Sequence, residues 1–398
     1  MILMQPSLNS VEFVVGDESI ITKMPSLKAF HPFDDEVLDF FNDLSKLLLK
    51  DGRAYSDVVT FGFWCRKAAL LKEKEHYDDI NNRLGRGVIF HSTPSNVPVN
   101  FAFSFAAGLL AGNANIVRLP GKPFEQVTII SNAVKQSLLL HPTLREYVCF
   151  IKYAPNEELH EYFSGLCDSR VVWGGDNTIN ELRKAHLKSR ANEINFADRY
   201  SIALLNSNEV LEEKDLSQLV RGFYNDTFFS DQNACTSPRI IFWLGDRIDE
   251  AKDVFWNEVL ALEKKEYTLA ESQSTGKLNA MYKVASKFDL KLKTYGGQYL
   301  YCIQVNGFIP ELMDYRYNSG FFYEVDLKDI REMIPYCQNR CQTLGYYGFD
   351  KGFFAQFINN NSINGIDRIV PIGKTMDFTL VWDGYDLIRQ MSRKITIV

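Results

Sequence analysis

Short apolar strand patterns alternate with helix patterns over residues 84–207, and this alternation constrains the fold more than any other feature of the chain. The strand patterns cover residues 88–90, 115–119, 148–153, 170–173 and 201–205. The segments between them, such as 99–110 and 124–139, have the length and periodicity of helices. Because parallel strands need crossover helices, the alternation predicts an α/β domain with a parallel sheet. Further helix and strand patterns over residues 208–375 predict a second α/β domain.

Composition narrows the class of protein. The chain has 398 residues, enough for two or more domains, with 46% apolar and 24% charged residues as in ordinary globular proteins. The net charge of −6 argues against a non-specific surface for nucleic acid or anionic membranes. The sequence contains neither an apolar run of 18 residues nor a signal-peptide pattern, so we expect no membrane span and a cytoplasmic location. Seven dispersed cysteines and six dispersed histidines predict neither a disulfide framework nor a metal site.

Cys235 is the first candidate for chemistry, because it lies in the polar run Ser-Asp-Gln-Asn-Ala-Cys-Thr-Ser-Pro at residues 230–238. A cysteine packed in a core normally lies in an apolar run. Small neighbours allow a substrate carbonyl to approach, and nearby amide and hydroxyl groups can stabilise an oxyanion. A loop cysteine without a function fits the same run about as well.

A second segment, upstream in the sequence, supports the interpretation of Cys235 as a catalytic residue. The pattern Pro-Ser-Asn-Val-Pro at residues 94–98 follows the first strand and precedes an apolar helix. An Ala-Gly-Asn turn at residues 111–113 ends that helix, and the next strand leads to Arg118 and Lys122. This places a polar loop at the carboxyl edge of a parallel strand, where open α/β sheets bind ligands.

With these two segments the chain resembles the aldehyde dehydrogenase superfamily and, within it, the acyl-CoA reductase (LuxC) family of fatty-acid reductases. The superfamily pattern Pro-x-Asn-x-Pro stands at residues 94–98, and Cys235 lies where the catalytic thiol is expected. Local matches at 341–348 and 365–398 extend the resemblance over residues 84–398. It implies an aldehyde dehydrogenase-like α/β fold with two Rossmann-like domains and a β-rich C-terminal oligomerisation segment, and therefore a homo-oligomer.

The resemblance also predicts a division of the chain into four parts. These are an N-terminal helical extension (1–83), a nucleotide-binding α/β domain (84–207), a catalytic α/β domain with the cysteine (208–375) and a C-terminal segment (376–398). The C-terminal segment, with a β-rich end at residues 395–398, is expected to return to the core or to a partner subunit.

The same resemblance assigns the chemistry. Cys235 is the expected nucleophile, and the side chain of Asn96 together with the main-chain N–H of Cys235 is expected to hold the oxyanion. Where hydrolytic relatives have a water-activating glutamate, this chain has Asn195, and an amide cannot act as a general base. Glu193 is the alternative equivalent if the alignment shifts by two residues.

The expected cofactor is NADPH, with NADH as the alternative. Arg118 and Lys122 could neutralise an adenosine 2′-phosphate, although a solvated basic turn explains them nearly as well. The Gly-Gly pair at 174–175 follows a strand and precedes a helix, so it is either a pyrophosphate contact or an ordinary turn. The predicted cofactor residues are Thr93, Pro94, Arg118, Lys122, Gly174 and Gly175.

The predicted function is NADPH-dependent reduction of an acyl thioester, from CoA, an acyl carrier protein or an acylated protein, to an aldehyde. The resemblance also suggests an acyl-protein synthetase as a partner. Two alternatives stay open within the superfamily, a hydrolytic aldehyde dehydrogenase and an acyl-phosphate reductase. A third alternative is a non-catalytic scaffold for an acyl-transferring partner.

Overall fold

The protein forms two compact units in the computed structural model, which describes residues 6–94 and 97–398. Unit 1 combines Met1–Ala197 with Phe378–Val398, and unit 2 is Asp198–Asp377. The sequence-based boundaries at 83, 207 and 375 stay predictions about functional domains.

Strands and helices alternate along both units. The strands are β1 (Glu12–Val15), β2 (Arg83–Gly85), β3 (Val88–Ser92), β4 (Ala114–Arg118), β5 (Val148–Lys152), β6 (Ser169–Trp173), β7 (Asn192–Phe196), β8 (Tyr200–Asn206), β9 (Pro238–Leu244), β10 (Lys291–Tyr295), β11 (Leu300–Gln304), β12 (Phe321–Leu327), β13 (Cys341–Tyr347), β14 (Arg368–Pro371), β15 (Val381–Trp382), β16 (Tyr385–Asp386) and β17 (Ser392–Lys394). The α-helices are α1 (Glu18–Lys23), α2 (Asp35–Asp51), α3 (Ser56–Trp64), α4 (Lys67–Lys74), α5 (Asn100–Leu110), α6 (Glu125–Leu140), α7 (Glu157–Leu166), α8 (Asp176–Arg183), α9 (Ser207–Glu212), α10 (Ser217–Asp226), α11 (Ile248–Glu266), α12 (Glu271–Ala285), α13 (Lys351–Asn360) and α14 (Leu387–Gln390).

Unit 1 is built around a six-stranded sheet in the order β1-β5-β4-β3-β6-β7. Its strands are parallel except for β1, which is antiparallel to β5. The central strands β3 and β6 are buried along their whole length, as a parallel sheet covered by helices requires. This arrangement confirms the α/β pattern that the alternation predicts.

The described part of residues 1–83 belongs to unit 1 and contains more than helices. The helix α2 buries Val37, Phe40, Phe41 and Leu44 in the same apolar cluster as the sheet strands. The strand β1 also extends the sheet at its edge. Only four residues long and partly exposed, β1 gives no clear apolar alternation in the sequence.

Unit 2 is built around a seven-stranded sheet in the order β10-β11-β12-β9-β8-β13-β14. Its strands are parallel except for the exposed edge strand β10. Along β9, Ile240 and Phe242 face one apolar cluster, and Ile241 and Trp243 face the other. Because successive side chains of a strand point to opposite faces, the continuous apolar run of residues 240–244 in β9 has a core on each side.

The C-terminal segment returns to unit 1. Its last strand, β17, is antiparallel to β2, and Ser392 is opposite Gly85. Within the single chain, residues 395–398 form no strand, and Ile397 and Val398 are exposed. The pairing of this end with a partner subunit stays a prediction. The N–H of Ile395 donates a hydrogen bond of 2.8 Å to the carbonyl of Asn82, the residue before β2, so the contact continues one residue beyond the paired strands.

Across residues 6–94 and 97–398, no helix has the length and apolar character needed to cross a membrane. Within the same residues, histidine, cysteine and acidic side chains do not gather into a group of three that could hold a metal ion.

Candidate active site

Cys235 lies in the loop between α10 and β9, at the amino edge of the sheet of unit 2. Its side chain is half-buried. The buried hydroxyl of Ser201, at the start of the neighbouring strand β8, donates a hydrogen bond of 2.7 Å to the carbonyl of Cys235. The main chain at the cysteine is therefore tied to the sheet.

The loop carries two consecutive residues in the left-handed region. Asp231 and Gln232 have φ values of 49° and 52°, a conformation that residues other than glycine adopt only at a cost. The buried side chain of Gln232 compensates by accepting the N–H of Gly320 at 2.9 Å. The carboxylate of Asp231 accepts hydrogen bonds from Tyr267 at 2.5 Å and Gln273 at 2.9 Å. Such locally costly backbone, held by specific partners, is typical of functional sites.

Arg239, four residues after the cysteine, is a buried cation behind this loop. It donates hydrogen bonds to the carbonyl of Gln232, to the carbonyl of Tyr317 at 2.7 Å and to Oδ1 of Asn318 at 2.8 Å. Burial lowers the pKa of Arg239 to about 10. The charge of Arg316 adds to this, while the ionised groups of Asp198, Asp231 and Cys235 act in the opposite direction. The charges of Arg239 and Cys235 are therefore close enough to influence each other.

A second contact joins the cysteine loop to residues 372–377. Oγ1 of Thr236 donates a hydrogen bond of 3.1 Å to Sδ of Met376. Asp226, at the end of α10, accepts the N–H groups of Gly373 at 2.6 Å and Thr375 at 3.1 Å. Burial raises the pKa of Asp226 to about 7, although these two donors favour its ionised form.

In unit 1, Thr93 and Arg118 of the predicted cofactor set lie together at the carboxyl ends of β3 and β4. Oγ1 of Thr93 donates a hydrogen bond of 2.6 Å to the carbonyl of Arg118. The guanidinium of Arg118 lies 4.6 Å from the ring centroid of Tyr153 and donates one hydrogen bond, of 3.3 Å, to that residue's carbonyl. Pro94 is half-buried beside Thr93, and Lys122 is exposed in the turn that follows β4.

The glycine pair follows β6, with Gly175 as the N-cap of α8. A Cβ atom added at Gly175 would meet nothing within 4 Å, whereas one at Gly174 would come within 3.0 Å of Thr178. The main chain at Gly175 is thus open to a ligand at a helix N-terminus. Asp176 in the first turn of α8 is unfavourable for an anion at this position.

The predicted oxyanion residue Asn96 lies outside the described residues, as does Ser95. Asn195 and Glu193 lie on β7, two residues apart and therefore on one face. The Asn195 amide donates a hydrogen bond of 2.7 Å to Glu193, and Arg170 and Arg183 donate to the same carboxylate at 2.8 and 2.9 Å. Although burial opposes them, these donors lower the pKa of Glu193. A carboxylate held in this way is a weak general base.

Three residues of the cysteine loop's surroundings, Asp226, Gln232 and Arg239, were not part of the sequence-based prediction. Arg239 had a detectable signal, since it is a charged residue at the start of an otherwise apolar strand. Asp226 and Gln232 lie in polar segments, where nothing in the local sequence separates a buried polar side chain from a solvated one.

Comparison with known proteins relates the chain to one protein family. The family model for acyl-CoA reductase (LuxC) matches residues 23–394. The long-chain acyl-protein thioester reductase of Aliivibrio fischeri is 24% identical over 377 residues, covering 88% of this chain and 72% of the relative. The enzyme of the same name from Photorhabdus laumondii subsp. laumondii is 25% identical over 328 residues, which cover 79% of this chain and 63% of the relative. The chain thus spans between 63% and 72% of the length of these two relatives.

Among solved structures, the succinic semialdehyde dehydrogenase from Streptococcus pyogenes in complex with NADP+ superposes with a TM-score of 0.63. The superposition covers 95% of this chain and 94% of that one, at 12% sequence identity. At this identity the likeness concerns the fold, and it confirms the predicted aldehyde dehydrogenase-like α/β architecture.

Proposed function

Because the chain belongs to the acyl-CoA reductase (LuxC) family, and so to the oxidoreductases, we propose that it reduces acyl thioesters to aldehydes through an acyl-enzyme on Cys235. The observation that carries this proposal is the setting of Cys235. The thiol is half-buried in a loop with two left-handed residues, and a buried arginine lies behind that loop. A non-catalytic scaffold would not need to maintain this combination.

In the proposed reaction, the Cys235 thiolate attacks the thioester carbonyl. The new C–S bond forms as the bond to the donor sulfur breaks, and the donor leaves as a thiolate that takes up a proton. We assign the tetrahedral oxyanion to the main-chain N–H of Cys235 and the side chain of Asn96. Hydride addition to the acyl carbon then releases the aldehyde and regenerates the Cys235 thiolate.

We propose NADPH as the reductant, with NADH as the alternative. A bound nicotinamide supplies the hydride. Arg118 and Lys122 would bind the adenosine 2′-phosphate, and the turn at Gly174 and Gly175, open at Gly175, would approach the pyrophosphate. Thr93 and Pro94 complete the proposed set. The guanidinium of Arg118 supports this assignment: among the described residues it donates a hydrogen bond to the carbonyl of Tyr153, and its face covers the ring of that residue.

The surroundings of β7 support reduction over hydrolysis. Asn195 cannot remove a proton from water, and Glu193 is held by two arginines and the Asn195 amide. Neither side chain is therefore suited to activate water against the acyl-enzyme. An acyl-enzyme that resists hydrolysis has time to accept a hydride.

The partners of the reaction belong to the same proposal. The names of the relatives point to an acyl-protein thioester as donor, and acyl-CoA and acyl carrier protein share the same reactive group. We further propose an acyl-protein synthetase as the supplier of acyl groups, assembly into a homo-oligomer and a location in the cytoplasm.

The test is intact-mass analysis after incubation with a panel of acyl-CoAs without nicotinamide. We expect one long-lived acyl adduct on the wild type. We expect no adduct on Cys235→Ala, because the other six thiols are buried. Cys337→Ala is the matched control, because burial raises the pKa of Cys337 to about 12 and leaves that thiol unreactive. An adduct that persists in Cys235→Ala, or an adduct that hydrolyses within seconds, would contradict the proposal.

A further inference from the structure

The buried guanidinium of Arg239 has an unusual set of partners. Its hydrogen-bond acceptors are two main-chain carbonyls, of Gln232 and Tyr317, and the neutral amide of Asn318. None of the three carries a negative charge. A buried cation normally requires an opposite charge, because removal from water disfavours the ionised state.

The neighbouring charged groups do not provide a dedicated counter-ion. Asp198 forms a bidentate pair with Arg316, at 2.9 and 2.7 Å, and Arg316 itself repels Arg239. Asp231 accepts hydrogen bonds from Tyr267 and Gln273. Tyr267 and Gln273 are neutral, so Asp231 keeps its negative charge, and Asp198, Asp231 and the thiolate of Cys235, in that order, favour the charged form of Arg239.

The same guanidinium also supports the shape of the cysteine loop. Its bond to the carbonyl of Gln232 holds a residue in the left-handed region three positions before Cys235. The fork of the guanidinium reaches Tyr317 and Asn318 at the same time, so the loop is tied to the segment that precedes β12. A lysine has one charged nitrogen and cannot reproduce this planar fork.

We propose that Arg239 is a positioning residue for Cys235, which fixes the main chain of the cysteine loop and supplies the positive charge that favours the thiolate. This inference rests on the proposed function only in taking Cys235 as the nucleophile. It assigns two separable contributions to one side chain, geometry and charge.

Two substitutions separate these contributions. Arg239→Gln removes the charge and keeps a hydrogen-bond donor, whereas Arg239→Lys keeps the charge and loses the fork. The measurement is the rate of Cys235 alkylation by iodoacetamide from pH 5.5 to 9.5, followed on the full chain by peptide mass spectrometry. Arg331→Gln is the matched control, because it makes the same change in net charge at an exposed site in the same unit.

In Arg239→Gln, we expect the pH of half-maximal alkylation to rise by about 1 unit or more, since a nearby opposite charge shifts a titration by roughly 1–3 units. Arg239→Lys should stay within about 0.5 unit of the wild type, and Arg331→Gln should not change the profile. The proposal is overturned if Arg239→Gln titrates like the wild type or if Arg239→Lys shifts as far as Arg239→Gln.

The wild type provides a test that does not depend on the folding of a variant. The pH of its half-maximal alkylation should lie below about 8.5, which is the ordinary pKa of a cysteine thiol. A pH at or above this value would also overturn the proposal. Alkylation requires no acyl substrate. A reactive Cys235 that forms no acyl adduct would therefore contradict the proposed function and leave the role of Arg239 standing.

Discussion

Gly108 is a residue at which the absence of a side chain matters for unit 1. A Cβ atom there would lie 2.0 Å from Oδ1 of Asn115 and 2.9 Å from Nε2 of His91. These two buried groups are 3.0 Å apart and hydrogen-bonded, and Nδ1 of His91 contacts the hydroxyl of Ser104 at 2.8 Å. Helix propensity alone favours alanine over glycine by about 1 kcal/mol. Overpacking costs roughly 1–3 kcal/mol, and a broken buried hydrogen bond adds to it.

We therefore expect Gly108→Ala to lower the melting temperature rather than raise it. The free energy of unfolding should fall by about 1–3 kcal/mol. The double variant with Asn115→Ala tests the cause, because without the amide the new methyl group has room. Gly108→Ala should cost less in that background, as expected for residues in direct contact. A stabilised Gly108→Ala protein would mean that the His91–Asn115 pair moves aside easily.

At the scale of single residues, the sequence predicted those residues whose own side chain carries the reactive group. Cys235 was identifiable because it lies in a polar run, unlike a cysteine packed in a core, and because the pattern at residues 94–98 accompanies it. The role of Arg239 was not, because it depends on which carbonyls converge on β9 from a segment about 80 residues later. Likewise, Phe101 and Phe105 are buried and pack on Phe150, and aromatic character in the sequence alone does not distinguish a core residue from one that lines a pocket.

At the scale of elements, the pairing of α10 with residues 372–377 predicts a dependence of stability on pH. Asp226 is buried, and its pKa in the folded protein is raised to about 7 from an ordinary value of 3.8. Between these two values the unfolded chain loses the proton and the folded chain keeps it. The contribution of Asp226 to stability is therefore fully present below about pH 4 and falls as the pH rises towards 7, by at most about 1.4 kcal/mol per pH unit.

Asp226→Asn should remove this dependence. The melting temperature of the wild type, measured relative to Asp226→Asn, should decrease from pH 4.5 to 7 and then become constant. Asp329→Asn serves as the control, because the side chain of Asp329 is 42% exposed and its hydrogen bonds with Arg331 lower its pKa to about 2. A difference between wild type and Asp226→Asn that does not change with pH would contradict the assigned titration.

The elements that sequence patterns predicted well are those with a continuous buried face. The helix α5 and the strands β4, β5 and β6 agree with the prediction to within a residue, because their apolar side chains face a core. The edge strand β10 was missed, since four of its five residues are exposed and it shows no apolar alternation. The polar strand β7 was missed for a related reason, as its outward side chains Glu193 and Asn195 bond to each other. A strand held by pairing and polar contacts leaves little trace in an apolar pattern.

At the scale of the whole molecule, unit 1 is discontinuous in sequence, and local periodicity cannot reveal this. The hydroxyl of Ser392 accepts a hydrogen bond of 3.2 Å from Arg83, and the Asn113 amide donates one of 2.9 Å to the carbonyl of Met391. These pairs are 309 and 278 residues apart along the chain. The return of the C-terminal segment was expected, but its partner strand β2 was not identifiable in advance.

This return predicts that the last 21 residues, Phe378–Val398, stabilise unit 1. Leu380, Leu387, Ile388 and Met391 are each almost completely buried in the core of unit 1. At about 1.5–3 kcal/mol for each buried side chain, their loss would cost roughly 6–12 kcal/mol. That amount is comparable to the whole stability of a typical protein, about 5–15 kcal/mol.

A chain that ends at Asp377 should therefore lose protection against hydrogen exchange throughout β3, β4 and β6. A chain that ends at Thr396 is the matched control. It lacks only the exposed Ile397 and Val398 and keeps both β17 and the hydrogen bond from the Ile395 N–H to the carbonyl of Asn82. We expect its exchange pattern to match the full chain. Full protection of β3 and β4 in the chain ending at Asp377 would mean that the contacts of Leu387 and Ile388 contribute little to the core of unit 1.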